Sequence, residues 1–319
     1  MIKLAFLLFL AICLAPVARA EFPDKNLRIV VGYPPGGVGD TVARMISDMV
    51  KTKHKQGVIV ENRPGVNGLI GAQSVAKGDQ DGSAVFQCNM GVMAIVPFVP
   101  GSVLPFDIEK DLVPISTMML MTYALVTAAD SPYNSVSDVI AAARATPNSV
   151  SFASTGNGSA QHLAGQMMGT FAGVSMLHVP YKGSADALVD LSARRVDLFV
   201  TSIADVASFV KNGRLKLLAF ADSTGHPDFP GIPFISATVP NYDFQSWAAI
   251  CGPRGMPASV KNSWAEAIRD GIRSPEVQAR IRGLGGIPHF EGPDAIATRV
   301  EGNRQHFKKV ISAAKIRVE

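Results

Sequence analysis

Twice along this chain a short run of β-branched and apolar residues feeds a glycine-rich turn that opens a helix. Leu27–Val31 runs into Pro34-Pro35-Gly36-Gly37-Val38-Gly39-Asp40-Thr41, and residues 150–154 run into Gly156-Asn157-Gly158-Ser159-Ala160-Gln161-His162. Behind the first turn Val42, Met45, Ile46, Met49 and Val50 recur at helical spacing; behind the second, Leu163, Met167, Met168 and Phe171 do so. Each turn leaves the first backbone N–H groups of a helix without internal acceptors, and the helix dipole adds to their field. One such turn is ordinarily a tight connection and nothing more. Two of them, far apart in the chain, make two half-sites able to grip one small anion.

Strand-like and helical patterns alternate between and beyond these turns. Strand-like runs fall at residues 58–61, 83–88, 125–127, 176–179, 196–200 and 215–221. Helical patterns follow Asn67-Gly68, cover Val136–Ala145, and follow Ser184 and Thr201-Ser202. A Gly- and Pro-punctuated stretch covers residues 91–105, and a Pro-rich crossing covers 226–240. A strand at 243–250 and helices at Ala258–Ile272 and 294–314 close the chain. The alternation predicts mostly parallel sheets with helices on both faces, where ligands bind beyond the carboxyl ends of the strands.

The amino terminus is of another kind. Lys3, an apolar core at residues 4–14 and the small-residue site Ala18-Arg19-Ala20 predict an export signal cleaved after Ala20. Without it, 28 basic residues face 26 acidic ones, so the basic pI reflects a small imbalance and not a basic face. Scattered Lys and Arg with few aromatics argue against nucleic acid as a partner. Cys88 and Cys251 each sit in an apolar run, where buried free thiols are common; in an oxidising compartment a bridge is the alternative.

Several chemistries lack their residues. Gly37-Val38-Gly39 follows a strand and Glu61 ends the next, as in dinucleotide sites, but Val42 stands where the third glycine belongs. Ser159 is in no Gly-x-Ser-x-Gly elbow, and His162, one turn on, reads as a satisfied helix histidine. The histidines show no metal spacing, no Cys-x-x-Cys occurs, and no cofactor is expected. Asp40 and Ser159 stand where helix caps are wanted, which leaves each free to meet a ligand as well. Trp247 and Tyr181 read as core.

Taken together, the blocks Phe22-Pro23, Pro34-Pro35-Gly36-Gly37 with Asp40 and Arg44, Glu61-Asn62-Arg63-Pro64-Gly65 with Gly68 and Gly71, Asp81-Gly82, Gly156-Asn157-Gly158-Ser159 with His162, and Val179-Pro180-Tyr181-Lys182-Gly183-Ser184 stand in a set order. In that order the chain resembles the Bug family, the periplasmic solute-binding proteins of tripartite tricarboxylate transporters. The resemblance implies a two-domain α/β fold of the type II periplasmic-binding-protein kind, with a ligand cleft between the domains. Residues 21–121 and 242–319 would form the first domain and 122–241 the second. It further implies a monomer without catalysis that clamps a small carboxylate through backbone N–H groups, hydroxyls and waters, then hands it to membrane subunits.

On that template the expected site takes Tyr33, Pro35, Gly36, Gly37 and Asp40 from the first turn and Asn157, Gly158, Ser159 and His162 from the second. Cys88, Asn89, Thr201 and Ser202 join them from strand ends. Donors of Gly36-Gly37 and Gly158-Ser159 would hold the carboxylate, with Lys182 at most on the rim. The chain departs from the family at Gly32-Tyr33, Cys88-Asn89, Arg194, Thr201 and Ala237, several of them at strand ends expected to line the site. The ligand therefore does not transfer: a dicarboxylate, a citrate-like acid, an aromatic acid, an amino acid or an amide all remain open. Two other functions compete, a sensory receptor for a membrane kinase and a secreted hydrolase using Ser159 and His162. Neighbouring genes would separate the first, and ester or amide turnover the second.

Overall fold

In β1 (Leu27–Val31) only Arg28 is exposed; the four aliphatic side chains are buried, as in a strand covered on both faces. In the computed structural model, which describes residues 22–23 and 25–314, β1 lies between two parallel neighbours. The expected export signal, residues 1–20, lies outside the described residues. The chain climbs from β1 through α1 (Val38–His54) to β2 (Val58–Asn62), then through α2 (Leu69–Ala76) to β3 (Ala84–Asn89). A π-type turn (Gly91–Ile95) and the short α3 (Ile108–Asp111) lead to β4 (Leu112–Ala128).

The second block repeats the scheme. After α4 (Val136–Ala145) come β5 (Ser151–Ser154), α5 (Ala160–Ala172), β6 (Leu177–Pro180), α6 (Ser184–Ser192) and β7 (Leu198–Ser202), with β5 parallel to both β6 and β7. Next are α7 (Ile203–Lys211) and β8 (Leu215–Phe220), then the long crossing, then β9 (Gln245–Pro253). Two further helices, α8 (Ala258–Ile272) and α9 (Pro275–Gly283), precede β10 (Gly286–Pro288) and α10 (Pro293–Ala314).

The strands run in the order β2-β1-β3-β9-β4-β7-β5-β6. Both parallel blocks agree with the alternation in the sequence, but antiparallel strands join them. β4 is 17 residues long and changes partners along its length. As far as Thr122 it pairs with β9, and Met119–Met121 also meet β10; from Tyr123 onward it pairs with β7 and β8. Its apolar pattern predicted a strand only at 125–127. Pro114, Ser116 and Thr117 interrupt the pattern, yet register shifts fall at these residues, where a ladder tolerates a missing N–H. The Thr117 hydroxyl donates to His289 O and accepts from Glu291 N, so the polar insertion is satisfied.

The disulfide corrects another expectation. Cys88 and Cys251 are bonded, with Cα atoms 5.9 Å apart, and are not free thiols. They stand on neighbouring antiparallel strands, β3 and β9, although 163 residues separate them in sequence. Around this frame α1 buries Val42, Met45, Ile46, Met49 and Val50 with Trp264 of α8, while α5 buries Leu163, Met167 and Met168 beside Phe152. Gly165 lets α5 approach β5, since a Cβ there would overlap the Phe152 ring. Trp247 is core, with its indole N–H given to Asn303.

Candidate functional site

The two glycine turns converge on one cavity of about 550 Å³, whose wall includes Tyr33, Val38, Gly39, Gly158, Ser159, Ala160 and Gln161. Each turn is fastened by its own hydrogen bonds. In the first, Gly36 takes φ +84° and gives its N–H to Asp40 Oδ2 at 3.0 Å. Arg44 reaches both oxygens of the same carboxylate at 3.0 and 3.1 Å, and Asn62 ties Oδ1 to Tyr33 O. Burial pushes the Asp40 carboxyl up, but the bonds from Arg44, Gly36 and Asn62 outweigh it and hold the pKa below the usual carboxylate range. Asp40 is 4% exposed, and the bonds from Gly36, Arg44 and Asn62 make it the fastening of the turn. The helix cap is Gly37, which offers no side chain.

The second turn uses neutral groups. Gly158 (φ +74°) gives its N–H to His162 Nδ1 at 3.1 Å, and Ser159 gives its own to Gly156 O. The Ser159 hydroxyl caps α5 by accepting the His162 N–H at 3.2 Å. His162 stacks on His178 with ring centroids 3.7 Å apart and planes within 2°, and Ser154 Oγ meets His178 Nε2 at 2.6 Å. Burial, and for His162 the neighbouring His178, lower both histidine pKa values to about 4. With these values both are neutral at pH 7, which avoids placing two like charges in one stack.

The backbone donors expected to hold a ligand at Gly36, Gly158 and Ser159 are thus spent inside the turns. The residues that open the helices one step later, Val38 and Gly39 in α1 and Ala160 and Gln161 in α5, line the cavity, and first-turn N–H groups have no acceptor within their own helix. Of the residues expected at the site, Tyr33, Asn89, Gly158, Ser159 and Ser202 line the cavity. Pro35, Gly36, Gly37, Asp40, Asn157, His162 and Thr201 do not line it; Pro35, Gly36 and Gly37 are exposed, whereas Asp40, His162 and Thr201 are buried. Cys88 is withdrawn altogether: it is fully buried in the disulfide. Thr201 acts through Asp205, to which it donates at 2.7 Å.

Lys182, expected at most on the rim, is an exposed part of the wall, beside Gly183 and Ser184. Asn67 spans the two sides of the cavity, giving its amide to Asn157 O at 3.5 Å. Tyr33 accepts from Asn89 Nδ2 at 3.1 Å, and burial keeps its phenol protonated. Residues that the sequence patterns had not marked also line the wall, notably Gln87, Tyr123, Asp205 and Ser246. Gln87 hid within an apolar strand. Asp205 left only a faint signal, four residues after Thr201 on a helix start. Among the described residues no group of His, Cys, Asp and Glu side chains could hold a metal ion.

A family model, that of the tripartite tricarboxylate transporter family receptor, matches residues 42–312. The chain belongs to this family. A UPF0065 protein from the tcbD-tcbE intergenic region of Pseudomonas sp. is 32% identical over 91% of this chain and 86% of its own. Among solved structures, R. palustris Rpa4515 with adipate superposes with a TM-score of 0.85 at 28% identity, covering 94% of this receptor and all of that chain. The periplasmic binding protein BugD superposes at 0.81 with 24% identity, covering 93% and 100%, and so speaks for the fold. The receptor has the two-domain fold of periplasmic binding proteins, and its family and fold are those of solute-binding proteins.

Proposed function

We propose that this receptor is exported to the periplasm, closes its two domains on a small organic carboxylate, and delivers it to a tripartite tricarboxylate-type membrane transporter. The observation that carries the reading is the pairing of two helix starts, α1 and α5, on opposite sides of one cavity. Such ends attract anionic oxygens without needing a cationic side chain. The wall has few charges, as a site that neutralises through backbone dipoles requires. The relative solved with adipate supports a carboxylate as the ligand class. The change of partners along β4, from β9 up to Thr122 to β7 and β8 from Tyr123, and the return of the chain at β9 support a first domain of residues 21–121 and 242–319 and a second of 122–241. The catalytic alternative finds no support in Ser159 and His162, since the imidazole accepts a backbone N–H and the hydroxyl caps α5.

Thermal melting with a panel of small carboxylates, adipate first, tests the reading. A true ligand at 100 times its Kd should stabilise the protein by about 2.7 kcal/mol. Small-angle scattering with that ligand should show a smaller radius of gyration as the domains close. A panel in which no carboxylate shifts the melt would reject the reading.

A further inference from the structure

We propose that the two chain crossings between the domains are tied by one turn folded around Asp222, and that this carboxyl is an acid-responsive hinge lock, closing the cleft when protonated and releasing it when ionised. The proposal rests on the domain division given above and not on the identity of the ligand. Ala221 lies between the crossings. Its N–H goes to Tyr123 O at 2.8 Å, where β4 changes partners, and its carbonyl accepts the N–H of Phe244 at 2.8 Å, where the chain returns toward β9. The turn follows at once. Asp222 Oδ1 accepts the N–H groups of Thr224 at 2.8 Å and Gly225 at 3.2 Å. Gly225 O in turn accepts the Thr122 hydroxyl at 3.2 Å, and Thr224 Oγ1 accepts the Gln245 amide at 3.0 Å. Both crossings therefore end on a turn that one carboxylate holds in shape.

The other oxygen of Asp222 is buried without a hydrogen bond, and the residue is 3% exposed. Ionising the carboxyl in such a place is costly, and a proton removes the cost. Burial accordingly raises its pKa to about 6, against the bonds from Thr224 and Gly225 that lower it, and the charge of exposed Asp243 adds to the rise. Three further titratable groups surround the turn. Tyr242 keeps its phenol protonated through burial, His226 accepts Asp228 N and is lowered by burial, and His306 of α10, in the field of Asp243, is lowered likewise. Asn67 of the first domain reaches Asn157 O of the second at 3.5 Å, so this structure is the closed form. Opening bends both crossings, loosens the ties on the turn and lets water reach Oδ2, which returns the acid toward its ordinary 3.8. The closed form then holds the proton more tightly, so its share rises as pH falls through about 6 and levels off near 3.8.

Single-molecule Förster transfer on the ligand-free protein tests this, with one dye on each domain at Thr52→Cys and Ala185→Cys, both exposed positions. The native cysteines are bonded to each other and take no label. From about pH 7.5 to about pH 5.5 the closed-to-open ratio should rise roughly fourfold. Asp222→Asn carries no charge at either pH, so its ratio should stay high and flat. Thr122→Val keeps the side-chain shape but cuts the tie to Gly225 O, and it should respond less than the parent even if Asp222→Asn fails to fold. An unchanged ratio in the parent, an equal rise in Asp222→Asn, or a full rise in Thr122→Val would each overturn the hinge lock. None of these outcomes touches the carboxylate reading, which ligand binding decides separately.

Discussion

The two glycine turns occupy equivalent places in the two domains, yet opposite chemistry secures them. The first is held by a charged carboxylate, Asp40, gathering Gly36, Arg44 and Asn62. The second is held by a neutral imidazole, His162, supported by His178 and Ser154. In both, a glycine N–H is consumed in shaping the turn, and the next residues of the helix line the cavity. A glycine-rich turn therefore shows where a ligand sits before it shows which atoms touch it.

The largest expected effect separates two neighbouring glycines of the first turn. A Cβ at Gly39 would press on buried Gln87, whereas one at Gly37 would meet only Pro34 O at an ordinary 3.7 Å. Gly39→Val should lower affinity by more than about a hundredfold, or roughly 3 kcal/mol, with the melt changed much less than the binding. Gly37→Ser should leave binding within a fewfold and supply the missing helix cap, stabilising by a few tenths of a kcal/mol. Calorimetry on the pair decides it, and equal losses would place Gly37 at the ligand after all.

Acid should separate the two turns next. His162 and His178 titrate near 4 in the folded protein, below the ordinary 6.5, so the unfolded chain takes up protons first as pH falls. Their contribution is intact above about pH 6.5 and is lost between there and pH 4. Asp40, held below its usual value of 3.8, loses its contribution only under more acid conditions. Asp222, raised to about 6, and Asp205, also raised, act in the opposite sense across the upper window. The net loss from the histidine pair should be about 1–3 kcal/mol, allowing for the partial exposure of His178. Melting from pH 7 to pH 4 should slope downward in the parent and more weakly in His178→Gln. Parallel slopes would remove the stacked pair from the acid response.

Much of this architecture is legible in the sequence, and what is not has physical causes. Short apolar runs and helical spacing marked both parallel blocks because the strands there are covered on both faces and each helix buries one. Only residues 125–127 of β4 show as a strand in the sequence, since Pro114, Ser116 and Thr117, where its register shifts, interrupt the apolar run. The disulfide had no local signature, being a product of the β3–β9 pairing across 163 residues. Gly158 and Ser159 were legible as site residues because their chemistry is local. Gln87 and Asp205 were not, because their places at the wall come from the packing of elements distant in sequence, and sequence spacing does not record that.

A smaller effect probes the caps. Ser159 accepts the His162 N–H, whereas Gly37 caps α1 with no side chain. Ser159→Ala should cost about 1 kcal/mol of stability from the lost cap. It should also cost roughly tenfold in affinity if the hydroxyl proton goes to the ligand carboxylate. Ser159→Gly, which makes the second turn resemble the first, should restore most of the stability but not the affinity. Recovery of both would mean that the hydroxyl serves the helix alone.

The smallest effect concerns Lys182, the charged side chain that most resembles a conventional anion anchor. It lines the cavity but is exposed, and no ion pair among the described residues fixes it. An exposed ammonium is worth about 0.2–1 kcal/mol to a nearby carboxylate and is screened by salt. Lys182→Gln should therefore weaken binding by roughly two- to fivefold at low ionic strength, with the difference fading near 1 M salt, where the screening length is about 3 Å. The helix starts of α1 and α5 are fixed in place and partly desolvated by the ligand, so their contribution should resist salt. A loss far beyond tenfold on Lys182→Gln, unchanged by salt, would transfer the neutralising role from the paired turns to one side chain. The symmetry between the two domains would then be a matter of folding only.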